Sequence, residues 1–203
     1  MTIEPGWAKE VSGARRRERP THQRQGAFFL DRDGVINATP ENRYVTCWAE
    51  FRFLPGTLQA LRLLNRDGRK VIVLSNQAGV GRGIMPRSQL NLITRRMLAA
   101  IRQAGGRVDA VYYCTHTPDN GCACRKPRPG LLRRACRKLR IDPKRSFVVG
   151  DNATDVAMGR AAGCRTVLVL SGISTHGEAR RMPVKPDRIV RNLPQAARWI
   201  LHQ

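Results

Sequence analysis

The chain has 203 residues, of which 41% are hydrophobic, and this suits one domain with a core large enough to fold without disulfide bonds. No apolar run approaches the roughly 18–20 residues that span a bilayer, and the arginine-rich N-terminus lacks the apolar stretch of a secretory signal. We therefore expect a cytoplasmic monomer without a membrane partner, whose six cysteines serve as thiols or metal ligands.

The net charge of +22 lies mainly beyond the N-terminal segment. Residues 1–26 contain six basic and three acidic side chains and so contribute only +3. An excess of this size favours anionic ligands, such as phosphorylated metabolites or nucleic acid. The alternative explanation is genome composition, because the chain has 31 arginines against 6 lysines.

Residues 1–25 show no apolar periodicity and predict a basic, disordered tail, whereas residues 26–203 predict one folded domain. Short apolar runs predict strands at 27–31, 70–75, 108–114, 146–151, 165–170 and, as a short edge strand, 188–192. Helical spacing of apolar residues predicts helices at 56–67, from Pro86 onward, and at 129–140, 153–162 and 194–201. Continuous apolar strands that alternate with helices predict a Rossmann-like, doubly wound parallel sheet with helices on both faces.

Polar side chains follow several predicted strands at the point where each strand ends. Asp31 and Asp33 follow the first strand, Ser75 ends the second and Asp151 follows the fourth. Ligands of such sheets bind at the carboxyl ends of the strands, so these side chains should meet. Three nearby carboxylates repel one another unless a cation holds them, and oxygen ligands favour Mg²⁺. Together with Lys126 and Ser75, a bound Mg²⁺ would neutralise a phosphoryl group during its transfer.

These residues resemble the four motifs of the haloacid dehalogenase (HAD) superfamily of phosphohydrolases. The motifs are DRDGV at 31–35, SNQ at 75–77, Lys126, and GDNATD at 150–155. Their order, their spacing and their places after strands all agree with that family. The resemblance covers about residues 26–200 and implies a HAD-like fold without a large cap domain.

The resemblance also implies roles for individual residues. Asp31 would be the catalytic nucleophile and form an aspartyl-phosphate, while Asp33 would protonate the leaving oxygen and then activate water. Ser75 and Lys126 would bind the transferred phosphoryl group. Mg²⁺ would be held by the side chains of Asp31 and Asp151 and by the backbone carbonyl of Asp33.

A second constellation lies in the sequence CTHTPDNGCAC at 114–124. Cys114, His116, Cys122 and Cys124 make a complete tetrahedral set for Zn²⁺. Because no coordination position is left open, this zinc would be structural and would tie down the basic loop that follows. The remaining cysteines are expected to be ordinary buried or half-buried thiols: Cys47, Cys136 and Cys164.

The same loop narrows the resemblance to the branch that contains D-glycero-D-manno-heptose-1,7-bisphosphate phosphatases and histidinol-phosphate phosphatases. Ser75 stands where that branch usually has Thr, the interval from His116 to Cys122 is shorter, and the segment after Asn37 is longer. The resemblance implies a small phosphorylated metabolite as the substrate, first of all a heptose 1,7-bisphosphate that is converted to the 1-phosphate. The expected substrate contacts are Arg32, Gly34, Glu41, Asn42, Arg43, Tyr44, Asn76, Gln77 and Arg125.

Three alternatives stay open at this point. Histidinol phosphate is the nearest rival substrate, and a 3′-phosphorylated nucleic-acid end is a rival of another class. A zinc-containing nucleic-acid-binding protein without catalysis is the third reading, but it gives no reason for Asp31, Asp33, Lys126 and Asp151 to occur together. An aromatic content of 5% further weakens the case for nucleic acid, since few rings are available for base stacking.

Overall fold

The computed structural model describes residues 25–39 and 44–203. The predicted tail at 1–25 therefore lies outside the described residues except for Gln25. Gln25 forms an isolated bridge with Ile141, and its carbonyl accepts a hydrogen bond from the Asp142 backbone at 3.0 Å. The described fold thus includes one residue that the sequence assigned to the tail.

The predicted doubly wound α/β fold is confirmed by a sheet of six parallel strands. Its strand order is β3-β2-β1-β4-β5-β6, so the first strand lies inside the sheet between β2 and β4. The strands are β1 (Ala27–Leu30), β2 (Lys70–Asn76), β3 (Ala110–Cys114), β4 (Phe147–Gly150), β5 (Arg165–Val169) and β6 (Arg188–Val190).

The described part of the chain contains seven α-helices, of which six lie between strands and the last follows β6. They are α1 (Thr57–Arg66), α2 (Ala78–Gly81), α3 (Arg87–Gln103), α4 (Gly130–Leu139), α5 (Ala153–Ala161), α6 (His176–Arg181) and α7 (Leu193–Leu201). Four of these match the predicted helices to within a few residues at both ends, and α3 begins one residue after Pro86, where the fifth helix was predicted to start. The short helices α2 and α6 were not predicted.

Two hydrophobic clusters sandwich the sheet, and β1 contributes to both because its side chains alternate between the faces. Phe28 and Leu30 face the cluster that α1, α3 and α7 cover, whereas Phe29 faces the cluster that α4 covers. All four residues of β1 are fully buried. This is the physical reason for the uninterrupted apolar run that precedes Asp31.

The described residues contain no helix that is long and apolar enough to cross a membrane.

The connection between β5 and β6 lies close to the predicted site, at the carboxyl ends of the strands. A third, small cluster lies beyond β5, where Ala179 and Met182 of the α6 segment pack with Val156 and Leu168. This contact fixes α6 against α5, next to the carboxyl ends of the strands.

Candidate active site

The carboxylates that follow β1 and β4 meet because these strands are neighbours. Leu30 pairs with Val149, and the ladder continues one residue further with a 3.0 Å bond from the Asp31 backbone to the Val149 carbonyl. Asp31, Asp151 and Asp155 each place a carboxylate oxygen within 4.8 Å of the others, and all three residues are buried.

Lys126 lies between two of these carboxylates. Its Nζ is 2.9 Å from Asp31 Oδ2 and 2.6 Å from Asp155 Oδ1, and the residue is 4% exposed. Burial alone would lower the pKa of Lys126, but the adjacent Asp155 and Asp31 outweigh burial and raise the pKa above its usual value. The cluster therefore holds a permanent positive charge beside the predicted nucleophile.

One ammonium group does not balance three carboxylates. Burial, together with the charges of Asp31 and Asp155, raises the pKa of Asp151 to about 7. Burial likewise raises the pKa of Asp155 to about 6, although Lys126 opposes this shift. Among the described residues no group donates a hydrogen bond to the buried Asp155 Oδ2. Surplus negative charge on a cluster of carboxylate oxygens fits a divalent cation with oxygen ligands.

Two glycines allow the backbone to come close to Asp151. A Cβ atom on either Gly34 or Gly172 would overlap the Asp151 carboxylate. Gly34 also has a φ of +80°, a conformation that side chains disfavour. Its place in the DRDGV motif is thus explained by backbone geometry beside Asp151.

Asp33 is held by four hydrogen-bond donors. Arg32 donates to Asp33 Oδ1 from Nε at 3.2 Å and from Nη2 at 2.9 Å, and Asn37 donates to the same oxygen at 2.8 Å. Gln77 donates to Asp33 Oδ2 at 2.8 Å and to Ser75 Oγ at 3.1 Å. The carboxylate predicted to transfer protons is therefore fixed in orientation and linked to the predicted phosphate-binding hydroxyl.

A cavity of about 660 Å³ opens over these groups. Asn76 and Arg125, two of the predicted substrate contacts, lie on its wall. Its described lining consists of Asp31, Asp33, Thr39, Ser75, Asn76, Arg125, Lys126, Asp151, Asn152, Ala153, Thr154, Ile173, Ser174, Glu178, Arg181 and Met182.

Four other predicted substrate contacts are placed elsewhere. Arg32 is fully buried, with its guanidinium 5.9 Å from the centre of the Tyr113 ring, because it serves as the partner of Asp33. Gln77 is engaged between Asp33 and Ser75, Gly34 supplies the close approach to Asp151, and Tyr44 packs its ring over Gly79. The last three predicted contacts lie outside the described residues: Glu41, Asn42 and Arg43.

The far wall of the cavity was missed by the sequence reasoning. Glu178, Arg181 and Met182 come from α6 and the residue after it. A signal was present, because Thr175 and Glu178 form a capping box, with the Thr175 backbone donating to the Glu178 carboxylate at 2.7 Å. The spacing Thr-x-x-Glu marks helix starts in sequences.

The four predicted zinc ligands converge in the described loop. Cys124 Sγ lies 3.3 Å from Cys114 Sγ, 3.4 Å from Cys122 Sγ and 3.2 Å from His116 Nδ1. Three sulfur atoms and one imidazole nitrogen at these separations can share one tetrahedral metal ion. Burial raises the pKa of the Cys114 thiol to about 12, so a thiolate at this position calls for a nearby cation.

The cysteine cluster and the carboxylate cluster are joined by the segment that follows Cys124. Asn76, at the end of β2, donates to the Lys126 carbonyl at 3.3 Å and accepts from the Lys126 amide at 3.1 Å. Arg125 donates to the His116 carbonyl at 3.5 Å. The loop therefore places the Lys126 ammonium beside the carboxylates, and Asn76 holds the Lys126 backbone in that position.

Residues 123–196 match the family model described as HAD-hydrolase-like. A D-glycero-beta-D-manno-heptose-1,7-bisphosphate 7-phosphatase of Bordetella bronchiseptica is 37% identical over 176 residues, which are 87% of this chain and 98% of that protein. The chain belongs to the HAD-like phosphatase family. A relative of the same name from Pseudomonas putida is 38% identical over 71% of this chain and 82% of its own length.

A solved structure from the HAD-like phosphatase family supports the same assignment. The D,D-heptose 1,7-bisphosphate phosphatase of B. bronchiseptica, complexed with magnesium and phosphate, superposes with a TM-score of 0.82. It is 36% identical in sequence, and the match covers 88% of this chain and 99% of that one. The predicted family is thus confirmed, the protein is a phosphoric monoester hydrolase, and magnesium is supported as its metal.

Proposed function

We propose that the protein hydrolyses the carbon-7 phosphate ester of a D-glycero-D-manno-heptose 1,7-bisphosphate and releases the 1-phosphate. The observation that carries this proposal is the convergence of Asp31, Asp33, Ser75, Lys126 and Asp151 on one cavity. A volume of about 660 Å³ accommodates a phosphorylated sugar as well as the reacting phosphate. The choice of this sugar rests on the two relatives, which are both named D-glycero-beta-D-manno-heptose-1,7-bisphosphate 7-phosphatase.

The side chains of Asp31 and Asp151, with the backbone carbonyl of Asp33, would hold Mg²⁺. When bound, the ion supplies positive charge that offsets the carboxylates and the phosphoryl oxygens. Asp155 extends the same carboxylate cluster, but its Oδ1 is already paired with Lys126. We assign Asp155 to the orientation of Lys126.

In the first half of the reaction, the Asp31 carboxylate attacks phosphorus and the bond from phosphorus to the carbon-7 oxygen breaks. Lys126 and Ser75 bind the equatorial oxygens of the phosphoryl group, whose charge is spread in the transition state. Asp33 gives its proton to the departing sugar oxygen. The products of this half are the sugar 1-phosphate and an aspartyl-phosphate on Asp31.

In the second half, the Asp33 carboxylate takes a proton from water while the water oxygen attacks phosphorus. The aspartyl-phosphate bond breaks, inorganic phosphate leaves, and Asp31 regains its carboxylate. The Asp33 carboxylate must keep the same orientation in both half-reactions. Its hydrogen bonds with Arg32, Asn37 and Gln77 support that role.

We further propose that Cys114, His116, Cys122 and Cys124 bind one structural Zn²⁺. The support is the mutual approach of all four ligand atoms in a loop with little regular structure. The metal would hold the segment that carries Lys126 in place.

Phosphate release across a panel of substrates tests the proposed function. The panel contains both anomers of the heptose 1,7-bisphosphate, histidinol phosphate and a 3′-phosphorylated oligonucleotide, each with and without Mg²⁺. We expect the highest kcat/KM for one heptose bisphosphate anomer, and loss of that activity without Mg²⁺. A higher kcat/KM for histidinol phosphate or for the oligonucleotide would replace the proposed substrate.

A further inference from the structure

Arg32 is a fully buried cation that has one acidic partner among the described residues. Its guanidinium donates to Asp33 Oδ1 from Nε at 3.2 Å and from Nη2 at 2.9 Å. An arginine side chain does not lose its proton in proteins, so the charge stays when the side chain is buried. Because removing a charge from water destabilises a fold unless its partners compensate, the surroundings of this guanidinium call for an explanation beyond packing.

The second partner of the Arg32 guanidinium is Tyr113, which lies on β3. Tyr113 is the register partner of Ser75 on β2, and β2 lies between β3 and β1, the strand that Arg32 follows. The centre of the buried Tyr113 ring is 5.9 Å from Arg32 Cζ. Burial lowers the pKa of Arg32, but Asp33 and then Tyr113 outweigh burial and raise the pKa above its usual value. Tyr113 therefore helps to stabilise the buried charge.

The hydroxyl of Tyr113 is oriented by Thr94, which lies on α3. Thr94 Oγ1 donates its single hydrogen to the Leu90 carbonyl at 2.7 Å. Tyr113 Oη lies 3.0 Å from the same Oγ1, so in this pair the tyrosine has to donate and the threonine has to accept. The Tyr113 oxygen then has only lone pairs left to offer, and these suit a guanidinium, because a guanidinium donates and does not accept.

The Arg32 guanidinium in turn restrains the Asp33 carboxylate. The Asp33 side chain is 21% exposed and lines the cavity, so hydrogen bonds rather than close packing have to fix its orientation. Asn37 donates to Oδ1 and Gln77 donates to Oδ2, each at 2.8 Å. Arg32 supplies the other two of the four described bonds, and a displaced guanidinium would weaken both at once.

We propose that Tyr113, oriented by Thr94, is a positioning residue that acts through Arg32 on the Asp33 carboxylate. This inference rests on the proton-transfer role that the proposed function gives to Asp33. Transfer of a proton to a departing oxygen requires a well-directed acid, and a small misplacement lowers the rate strongly. Tyr113 and Thr94 are not among the described lining residues of the cavity, so their effect reaches the reaction only through Asp33.

The test compares an alkyl phosphate with an aryl phosphate. The carbon-7 oxygen of the heptose 1,7-bisphosphate needs a proton as it leaves, whereas the p-nitrophenolate of p-nitrophenyl phosphate leaves without one. In Tyr113→Phe we expect kcat/KM for the heptose bisphosphate to fall by about tenfold and that for the aryl ester, followed with enzyme in excess, to change by less than about twofold. Asp33→Asn should show the same selectivity with a larger fall.

Tyr112→Phe is the matched control, because it removes the hydroxyl of the neighbouring buried tyrosine, which packs on the opposite face of the sheet. This variant should keep the wild-type ratio of the two kcat/KM values. Thr94→Val should lower the ratio by less than Tyr113→Phe does, and Thr94→Ser, which keeps the hydroxyl, should restore it. If Tyr113→Phe does not fold, the two Thr94 variants carry the same comparison.

The outcomes separate this inference from the proposed function. If the wild-type protein does not hydrolyse the heptose bisphosphate, the proposed substrate fails, and the comparison uses the alkyl phosphate of the panel that the protein hydrolyses best. If Asp33→Asn lowers kcat/KM equally for both esters, the proton transfer proposed for Asp33 fails. If Asp33→Asn is selective and Tyr113→Phe is not, only the assignment of Tyr113 is wrong. An equally selective fall in Tyr112→Phe also overturns it, because the cause would then be a general disturbance of β3.

Discussion

The described residues include two clusters of side chains that could hold a metal ion, and they are built in opposite ways. Asp31 and Asp151 directly follow neighbouring buried strands, and Asp155 lies in the first turn of α5. Cys122 and Cys124 belong to a loop whose only regular element is the short 3₁₀ turn Pro118–Asn120. The carboxylates are buried, whereas three of the four zinc-ligand candidates are only half-buried.

The contrast shows which cluster the fold itself holds together. Backbone hydrogen bonds of the sheet keep the carboxylates close although they repel one another, and burial together with this repulsion raises the pKa of Asp151. The loop with Cys122 and Cys124 has little regular structure, so a bound metal would contribute more to holding it in place. Substitutions in the carboxylate cluster should therefore remove activity and spare the fold, while substitutions in the thiol cluster should do more to the fold than to the chemistry.

The largest expected effect comes from Asp31→Asn. The amide cannot attack phosphorus, so kcat should fall by at least about a thousandfold. The fold should survive, because removing one of three crowded carboxylates relieves repulsion around Asp151. Steady-state phosphate release and the melting temperature without Mg²⁺ measure the two effects. Near-wild-type turnover in this variant would remove Asp31 from the role of nucleophile.

The next largest effect on activity is expected from Asp155→Asn. Lys126 would keep Asp31 as a partner but lose its shorter ion pair, the one at 2.6 Å. We expect kcat to fall by about ten- to a hundredfold, with a smaller change in KM, because Lys126 is then less well oriented toward the phosphoryl group. Initial rates over a range of substrate concentrations separate the two parameters.

Asp187→Asn is the matched control for that variant. Asp187 pairs with Arg160 at 2.9 Å and accepts from the Thr166 backbone at 2.6 Å, but it is not among the described lining residues of the cavity. Its loss should lower stability and leave kcat unchanged. A similar fall of kcat in both variants would mean that Asp155 acts through stability and not through Lys126.

The sequence predicted the carboxylate cluster because its cause is local. An apolar run that ends in Asp marks the end of a buried strand, and parallel strands bring such ends together. The orientation of the Arg32 side chain, in contrast, depends on residues that are distant in the sequence. Its guanidinium is buried near Tyr113, whose hydroxyl lies 3.0 Å from Thr94 Oγ1, and these partners are far away in the chain. No local sequence pattern predicts such a buried pocket for a charged side chain.

The far wall of the cavity was missed for a related reason. In α6 only Ala179 is buried, so the helix has no apolar stripe that periodicity would detect. Its stability comes from the capping box and from packing against residues of β5 and α5. Of these two causes, the capping box was visible in the sequence and the packing was not.

The smallest effect on activity is expected from Cys124→Ser, and this variant sharpens the contrast between the two clusters. Loss of one thiolate should abolish binding of one zinc per chain and lower the free energy of unfolding by about 2 kcal/mol or more, roughly 4–8 °C in Tm for a domain of this size. The fall in kcat/KM should be only about tenfold. Asn76 still holds the Lys126 backbone at the end of β2 through two hydrogen bonds, so the cation stays near Asp31.

Metal content, melting temperature and phosphate release in the same preparations check that prediction, with Cys47→Ser as the control because Cys47 is a half-buried thiol outside the cluster. The control should keep its zinc, its Tm and its activity. If Cys124→Ser instead lost as much activity as Asp31→Asn while keeping its Tm, the loop would take part in the chemistry directly. The two clusters would then be one functional unit, and the division between a centre held by the sheet and a loop held by zinc would be wrong.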